Sequence, residues 1–198
     1  MANFFEWDKK IDYLRKQIKS TGLTPFNFHE SYLDEAVKCF HNYMPISCII
    51  VSSASVEACL SWEQWRRRKK KVIPLETFSG FSLNSLINEL LNTDIPFESL
   101  IDSDEDLEEI RKIPKEDEKR KEMIANIKYV KARNKLTHGD LFYQEILLQT
   151  LLPTSINELL DFGIKAEYQQ HGSQGLRALA FVHLSKTLNF MKAFTEWV

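Results

Sequence analysis

Glycine and proline are scarce in this 198-residue chain, six of each, which argues against a turn-rich β architecture. Cysteine is sparse too. Cys39, Cys48 and Cys59 lie inside apolar helical stretches, at separations that suit neither a zinc site nor a disulfide framework. They read as buried thiols in a reducing cytoplasm, and no metal or cofactor is expected. Net charge is small, −2 at pH 7, so no global field draws in nucleic acid and any RNA contact must be local. The N-terminus lacks a basic head followed by an apolar run, so no secretory signal is expected. No stretch of about 18 apolar residues that would span a bilayer is found, and no membrane partner is expected. An internal repeat, a glycine-rich phosphate loop and a Ser-His-Asp spacing are also missing. What is present is 43% hydrophobic, enough for a sizeable core in a single all-α domain over 1–198.

Helical periodicity organises most of the chain. Phe4 to Lys19 sets Phe4, Phe5, Ile11, Leu14 and Ile18 against charged neighbours, as in a surface helix with one buried face. A second helix runs from about Glu30 to Met44 with Leu33, Val37 and Phe40 inward. Pro45 either opens a third helix or kinks a longer one, because it lacks the amide that a helix interior requires. Ile46 to Trp65 is the most apolar segment and should be the central helix, with Ser52, Ser53, Ala54 and Ser55 small enough to admit a close neighbour. Ser82 is placed to cap a helix from Leu83 to Leu91. Residues 92–114 carry two prolines and a dense acidic stretch, and read as a mobile insertion or surface segment. Those acids lack a loop glycine and read as solvated rather than as a calcium loop. Leu176, Ala180, Leu184, Leu188 and Met191 form the buried stripe of the last helix, with His183 beside it as a core or surface histidine.

Several polar residues stand where this pattern asks for apolar ones. Glu57 interrupts the central helix, and a buried carboxylate needs a cation or hydrogen-bond donors. Two readings stand: a carboxylate solvated at an exposed sliver, or one that reaches Arg133 or Asn134 and fixes their orientation. Arg66, Arg67, Arg68, Lys69, Lys70 and Lys71 form an unbroken cationic run just after Trp62 and Trp65. It reads either as a solvated helix end favoured by the macrodipole or as a phosphate-tracking patch with tryptophans available for base stacking. In Met123 to Leu141, Met123, Ile127 and Val130 recur at helical spacing, and the same register reaches Asn134, Thr137 and His138. Asn134 and His138 are thereby expected on a buried face, with Arg133 on its shoulder.

The string Arg133-Asn134-Lys135-Leu136-Thr137-His138-Gly139 resembles the signature of the HEPN superfamily: an arginine, a polar residue, three further positions, then histidine, often followed by glycine. The helical plan fits in order, with Tyr32 to Ala36 in an early helix, Ala54 to Leu60 in an apolar helix carrying one acid, a short helix at Leu83 to Leu91, the motif helix and an amphipathic C-terminal helix. The resemblance implies a HEPN-like helical bundle, here with the acidic insertion before the motif helix. It also implies pairing into a homodimer and metal-independent endoribonuclease activity, with Arg133, Asn134 and His138 from each chain facing one another across the two-fold axis.

The residue types suit that chemistry. RNA carries its own nucleophile in the 2′-hydroxyl, histidine transfers protons near neutrality, and arginine meets phosphate oxygens with a planar fork that stays charged. Asn134 would orient the histidine or the phosphate, and Glu57 would support the arginine. The expectation is cleavage of single-stranded RNA in a toxin, stress or antiviral role, restrained by an antitoxin or other regulatory protein. The alternative is a non-catalytic HEPN-like module that binds RNA, a nucleotide or a protein through the same polar groove.

Overall fold

Eight α-helices and one 3₁₀ turn make up the residues that the computed structural model describes, 4–18, 28–67, 82–101, 103–137 and 172–197, and no strand occurs among them. The helices are α1 (Phe4–Gln17), α2 (Phe28–His41), α3 (Pro45–Arg67), α4 (Leu83–Leu90), α5 (Asp104–Lys112), α6 (Glu118–Asn126), α7 (Lys128–Thr137) and α8 (Gly172–Trp197), with the 3₁₀ turn at Phe97–Ser99. The all-α expectation is met.

α3 is the hub. It packs against α2, α4, α7 and α8, so its apolar circumference is covered by neighbours and Cys48, Ile49, Val56, Cys59 and Leu60 reach the core. The small hydroxyls of Ser52, Ser53 and Ser55 are buried as well, which lets α8 lie close along them. By length and composition alone α3 is apolar enough to cross a membrane, a test that the core helix of a helical bundle also passes.

Pro45 opens α3 and does not kink a longer helix. α2 stops because Tyr43 takes a left-handed conformation, φ 57°. The Met44 amide then donates to the Cys39 carbonyl at 2.8 Å and the Tyr43 amide to the Phe40 carbonyl at 3.2 Å. This closing pattern usually places glycine at the left-handed position. Here the exposed Tyr43 ring lies 3.8 Å from the Arg177 guanidinium of α8, a cation–π contact that helps hold the unfavourable backbone. Nearby, His41 stands between Asp8 at 3.1 Å and Asp12 at 2.9 Å, and Arg177 reaches Asp8 at 3.1 Å. These contacts tie α1, α2 and the start of α8 together.

Among the described residues of 92–114, a 3₁₀ turn and the short surface helix α5 pack their apolar residues onto the core. Ile95, Phe97, Leu100, Ile101, Leu107 and Ile110 are all buried. The acids keep to one exposed face of α5, whose first turn is capped by Ser103 accepting from the Asp106 amide at 3.0 Å. Of the two readings of this stretch, the surface segment is the one that α5 matches, with Leu107 and Ile110 turned inward.

A buried arginine locks this region to α4. Arg120, only 1% exposed, donates to Asn88 Oδ1 at 2.8 Å, the Asn88 carbonyl at 3.1 Å, Asn92 Oδ1 at 3.2 Å and the Ile113 carbonyl at 2.9 Å. All four acceptors are neutral, and burial pulls the guanidinium below its usual pKa. Removing it strands several acceptors, each worth roughly 1–3 kcal/mol when left unsatisfied. Arg120→Met should therefore lose about 3 kcal/mol of stability in urea unfolding. A loss below about 0.5 kcal/mol would show the clamp to be ornamental.

Candidate functional site

The motif helix does not continue the register of the helix before it. Ile127 adopts ψ 126° and ends α6 with its amide on the Ile124 carbonyl. α7 then starts afresh, the Lys131 amide bonding the Ile127 carbonyl at 2.8 Å. The break rotates the face that follows it. Tyr129, Val130, Ala132 and Leu136 are buried in α7 while Arg133 and Asn134 are intermediate, so Asn134 lies at the rim of the packed face and not within the buried stripe expected for it.

At that rim, three helices converge. Arg133 Nη2 lies 2.8 Å from Glu57 Oε1 on α3, and each side chain keeps 22% of its surface exposed. Arg133 Nη1 donates to Asn134 Oδ1 at 3.1 Å, and Asn134 Nδ2 donates to Asn84 Oδ1 on α4 at 3.2 Å. The Leu83 amide, at the first residue of α4, is close enough to the Glu57 carboxylate to favour its charged form. α4 presents that amide because Ser82 caps it and takes the Ser85 amide at 3.3 Å. Burial pushes the Glu57 carboxyl above its usual pKa, while the Arg133 charge and the hydrogen bonds from Leu83 and Arg133 pull it back. Of the two readings of Glu57, the structure shows the one in which it reaches Arg133.

One helical turn away the polar contacts continue into the core. Ser53 precedes Glu57 by one turn of α3, and Tyr129 precedes Arg133 by one turn of α7. The rings of Tyr129 and His183 stack 3.9 Å apart, Tyr129 bonds Thr187 at 2.7 Å, and Thr187 donates to the His183 carbonyl at 3.1 Å. Ser53 Oγ donates to the Ile49 carbonyl at 2.9 Å and meets His183 Nε2 at 2.9 Å. A hydroxyl has one proton, so with it given to Ile49 the hydrogen between Ser53 and His183 belongs to Nε2. Burial and the nearby Lys186 lower the His183 pKa to about 3, which leaves a neutral core histidine.

The cationic run is partly spent within the fold. Glu63, fully buried, is gripped by Arg66 at 2.7 Å and Arg67 at 2.6 Å. Arg67 also pairs with Asp94 at 2.5 Å. Trp197 donates to Asp94 at 3.2 Å and lies under both guanidinium groups, at 5.9 and 5.7 Å. Trp62 and Trp65 stack on each other at 4.8 Å. This cluster begins about 9 Å along the α3 axis from Glu57, at Glu63, and ends about 15 Å along it, at Arg67. Arg68, Lys69, Lys70 and Lys71, like His138 and Gly139, lie outside the described residues.

No family model, curated protein or solved structure matches this chain. Glu57, Arg133 and Asn134 are brought together, and Arg66 and Arg67 belong to a separate cluster. Asn84 and the Leu83 amide were missed by sequence reasoning. Only the capping serine at position 82 signalled that an amide would be presented there.

The buried histidine makes a pH test. His183 binds a proton near pH 6.5 when unfolded and near 3 when folded, so its contribution to stability is lost as pH falls from about 6.5 toward 3. The raised carboxyl of Glu57 has the opposite sign, since its folded form takes up a proton more readily than its unfolded form. In urea unfolding between pH 6 and 4, wild type should lose about 1 kcal/mol per pH unit more than His183→Gln. Parallel pH curves would contradict a neutral buried His183.

Proposed function

We propose that this chain is a metal-independent endoribonuclease that cleaves single-stranded RNA through the 2′-hydroxyl, with a HEPN-like bundle as its scaffold. The observation that carries the reading is the ion pair of Arg133 with Glu57 at 2.8 Å, extended by Asn134 to Asn84. It supports the reading because it sets an arginine fork, with Asn134 beside it, at a partly exposed junction of three helices where a phosphate can meet it. The resemblance of residues 133–139 to the HEPN signature supports it independently.

In the proposed reaction a base removes the 2′-hydroxyl proton, O2′ bonds to phosphorus, and the bond from phosphorus to O5′ breaks as O5′ takes a proton. The products are a 2′,3′-cyclic phosphate and a 5′-hydroxyl. His138 transfers the protons, a role worth roughly 10²- to 10⁴-fold in rate. Arg133 balances the charge gathering on the phosphorane oxygens. Asn134 holds the arginine and the phosphate in register. Two chains, each giving Arg133, Asn134 and His138, form one groove in a homodimer. A toxin, stress or antiviral role restrained by a regulatory protein fits such an activity.

The test is incubation of single-stranded RNA with the protein in EDTA, comparing wild type with Arg133→Ala and His138→Ala after circular dichroism confirms that all three fold. Wild type should leave cyclic phosphate ends, and both variants should lose at least 100-fold in rate. RNA left intact by wild type, or cut equally by His138→Ala, would remove the ribonuclease reading. In that case the same polar junction would serve a non-catalytic binding module.

A further inference from the structure

The donors around Glu57 are those an anion would use. The Arg133 guanidinium comes from α7, the Leu83 amide comes from the first turn of α4, and the side-chain amides of Asn134 and Asn84 lie alongside. A helix start and an arginine fork are each suited to tetrahedral oxyanions. In this structure the Glu57 carboxylate occupies the place beside the Arg133 fork, 2.8 Å from Nη2.

The geometry points to a phosphate-class anion site at the junction of α3, α4 and α7, in which the Glu57 carboxylate is the resident anion that an incoming phosphodiester displaces. This deepens the ribonuclease reading and rests on it for the choice of a phosphodiester as the ligand. Three observations carry the inference. A carboxylate needs donors to sit in this apolar helix, and the donors it has found belong to two other helices rather than to α3. The Glu57 and Arg133 side chains each keep 22% of their surface open to solvent, so a small anion can reach them. Finally, the pair sums to zero charge, so a second anion gains little from Arg133 while Glu57 stays ionised and in place.

Glu57 is thus a brake as well as a support. Protonating it or moving it frees the Leu83 amide and the Arg133 fork together. Among the described residues, the titratable and charged groups that act on it are Arg133 and Tyr129 on α7. The raised pKa of Glu57 sets the direction: affinity for an anion of constant charge rises as pH falls.

The probe is thymidylyl-thymidine, which carries one phosphodiester, does not titrate between pH 4 and 8, and has no 2′-hydroxyl to react. Its binding to the full chain is followed by NMR titration. Glu57→Gln should bind it at least tenfold tighter than wild type at pH 7. Wild-type affinity should climb toward that of the variant on acidification, while Arg133→Ala should bind in neither background. Equal or weaker binding by Glu57→Gln would overturn the inference and leave Glu57 as a positioning residue. If Glu57→Gln does not fold, the wild-type pH series decides, and affinity that stays flat or falls with acidification overturns it. The cleavage assay is a separate readout. Failure to cut RNA with this binding pattern intact removes the ribonuclease and keeps the anion site.

Discussion

A single carboxylate in the most apolar helix governs how the rest of the bundle is arranged. Glu57 cannot stay ionised inside α3 without compensation, since an unpaired buried charge costs several kcal/mol. Its compensation comes from Arg133 at 2.8 Å and the Leu83 amide. Satisfying it therefore fixes where α7 and the start of α4 lie against α3. The placement of Asn134 against Asn84 follows from the same constraint. What looks like a defect in the hydrophobic pattern is the feature that aligns three helices.

Other buried polar groups repeat this logic away from the site. Arg120 fastens α6 and the end of α5 to α4 through neutral acceptors, and Glu63 gathers Arg66 and Arg67 at the far end of α3. The stack of Tyr129 on His183 joins α7 to α8. Each side chain is costly to bury alone and is tolerated because polar partners meet it, from other helices at Arg120 and His183 and from the next turn of α3 at Glu63. Such contacts specify one arrangement among the many that apolar packing would allow. At Glu57 and Arg133 the polar contacts also open to solvent, unlike those at His183.

Much of this was legible in the residues. The apolar run of α3, Pro45 at its start, Ser82 at the cap of α4 and the buried stripe of α8 all carry local signals, and Glu57 stood out because charge interrupted that run. Other features depend on contacts distant in sequence. The break at Ile127 has no glycine or proline to mark it, and apolar spacing looks continuous across it. Asn84 is an ordinary first-turn residue until Asn134 is folded against it. The acids of α5 masked the apolar residues between them, and Arg120 looked like one charge in a mixed run. Arg66 and Arg67 are exposed, as a helix end should be, but their contacts with Asp94 and Trp197 far along the chain gave no local signal.

The account stands on Glu57 and Arg133 acting as a unit, and a double-mutant cycle on stability tests this most directly. Glu57→Gln, Arg133→Met and the double variant would be unfolded in urea alongside wild type. The predicted result is that the double variant loses about 1–2 kcal/mol less than the sum of the singles, a moderate coupling because both side chains are partly exposed. Additivity within about 0.3 kcal/mol would contradict it, and would mean that α3, α4 and α7 are aligned by apolar packing alone.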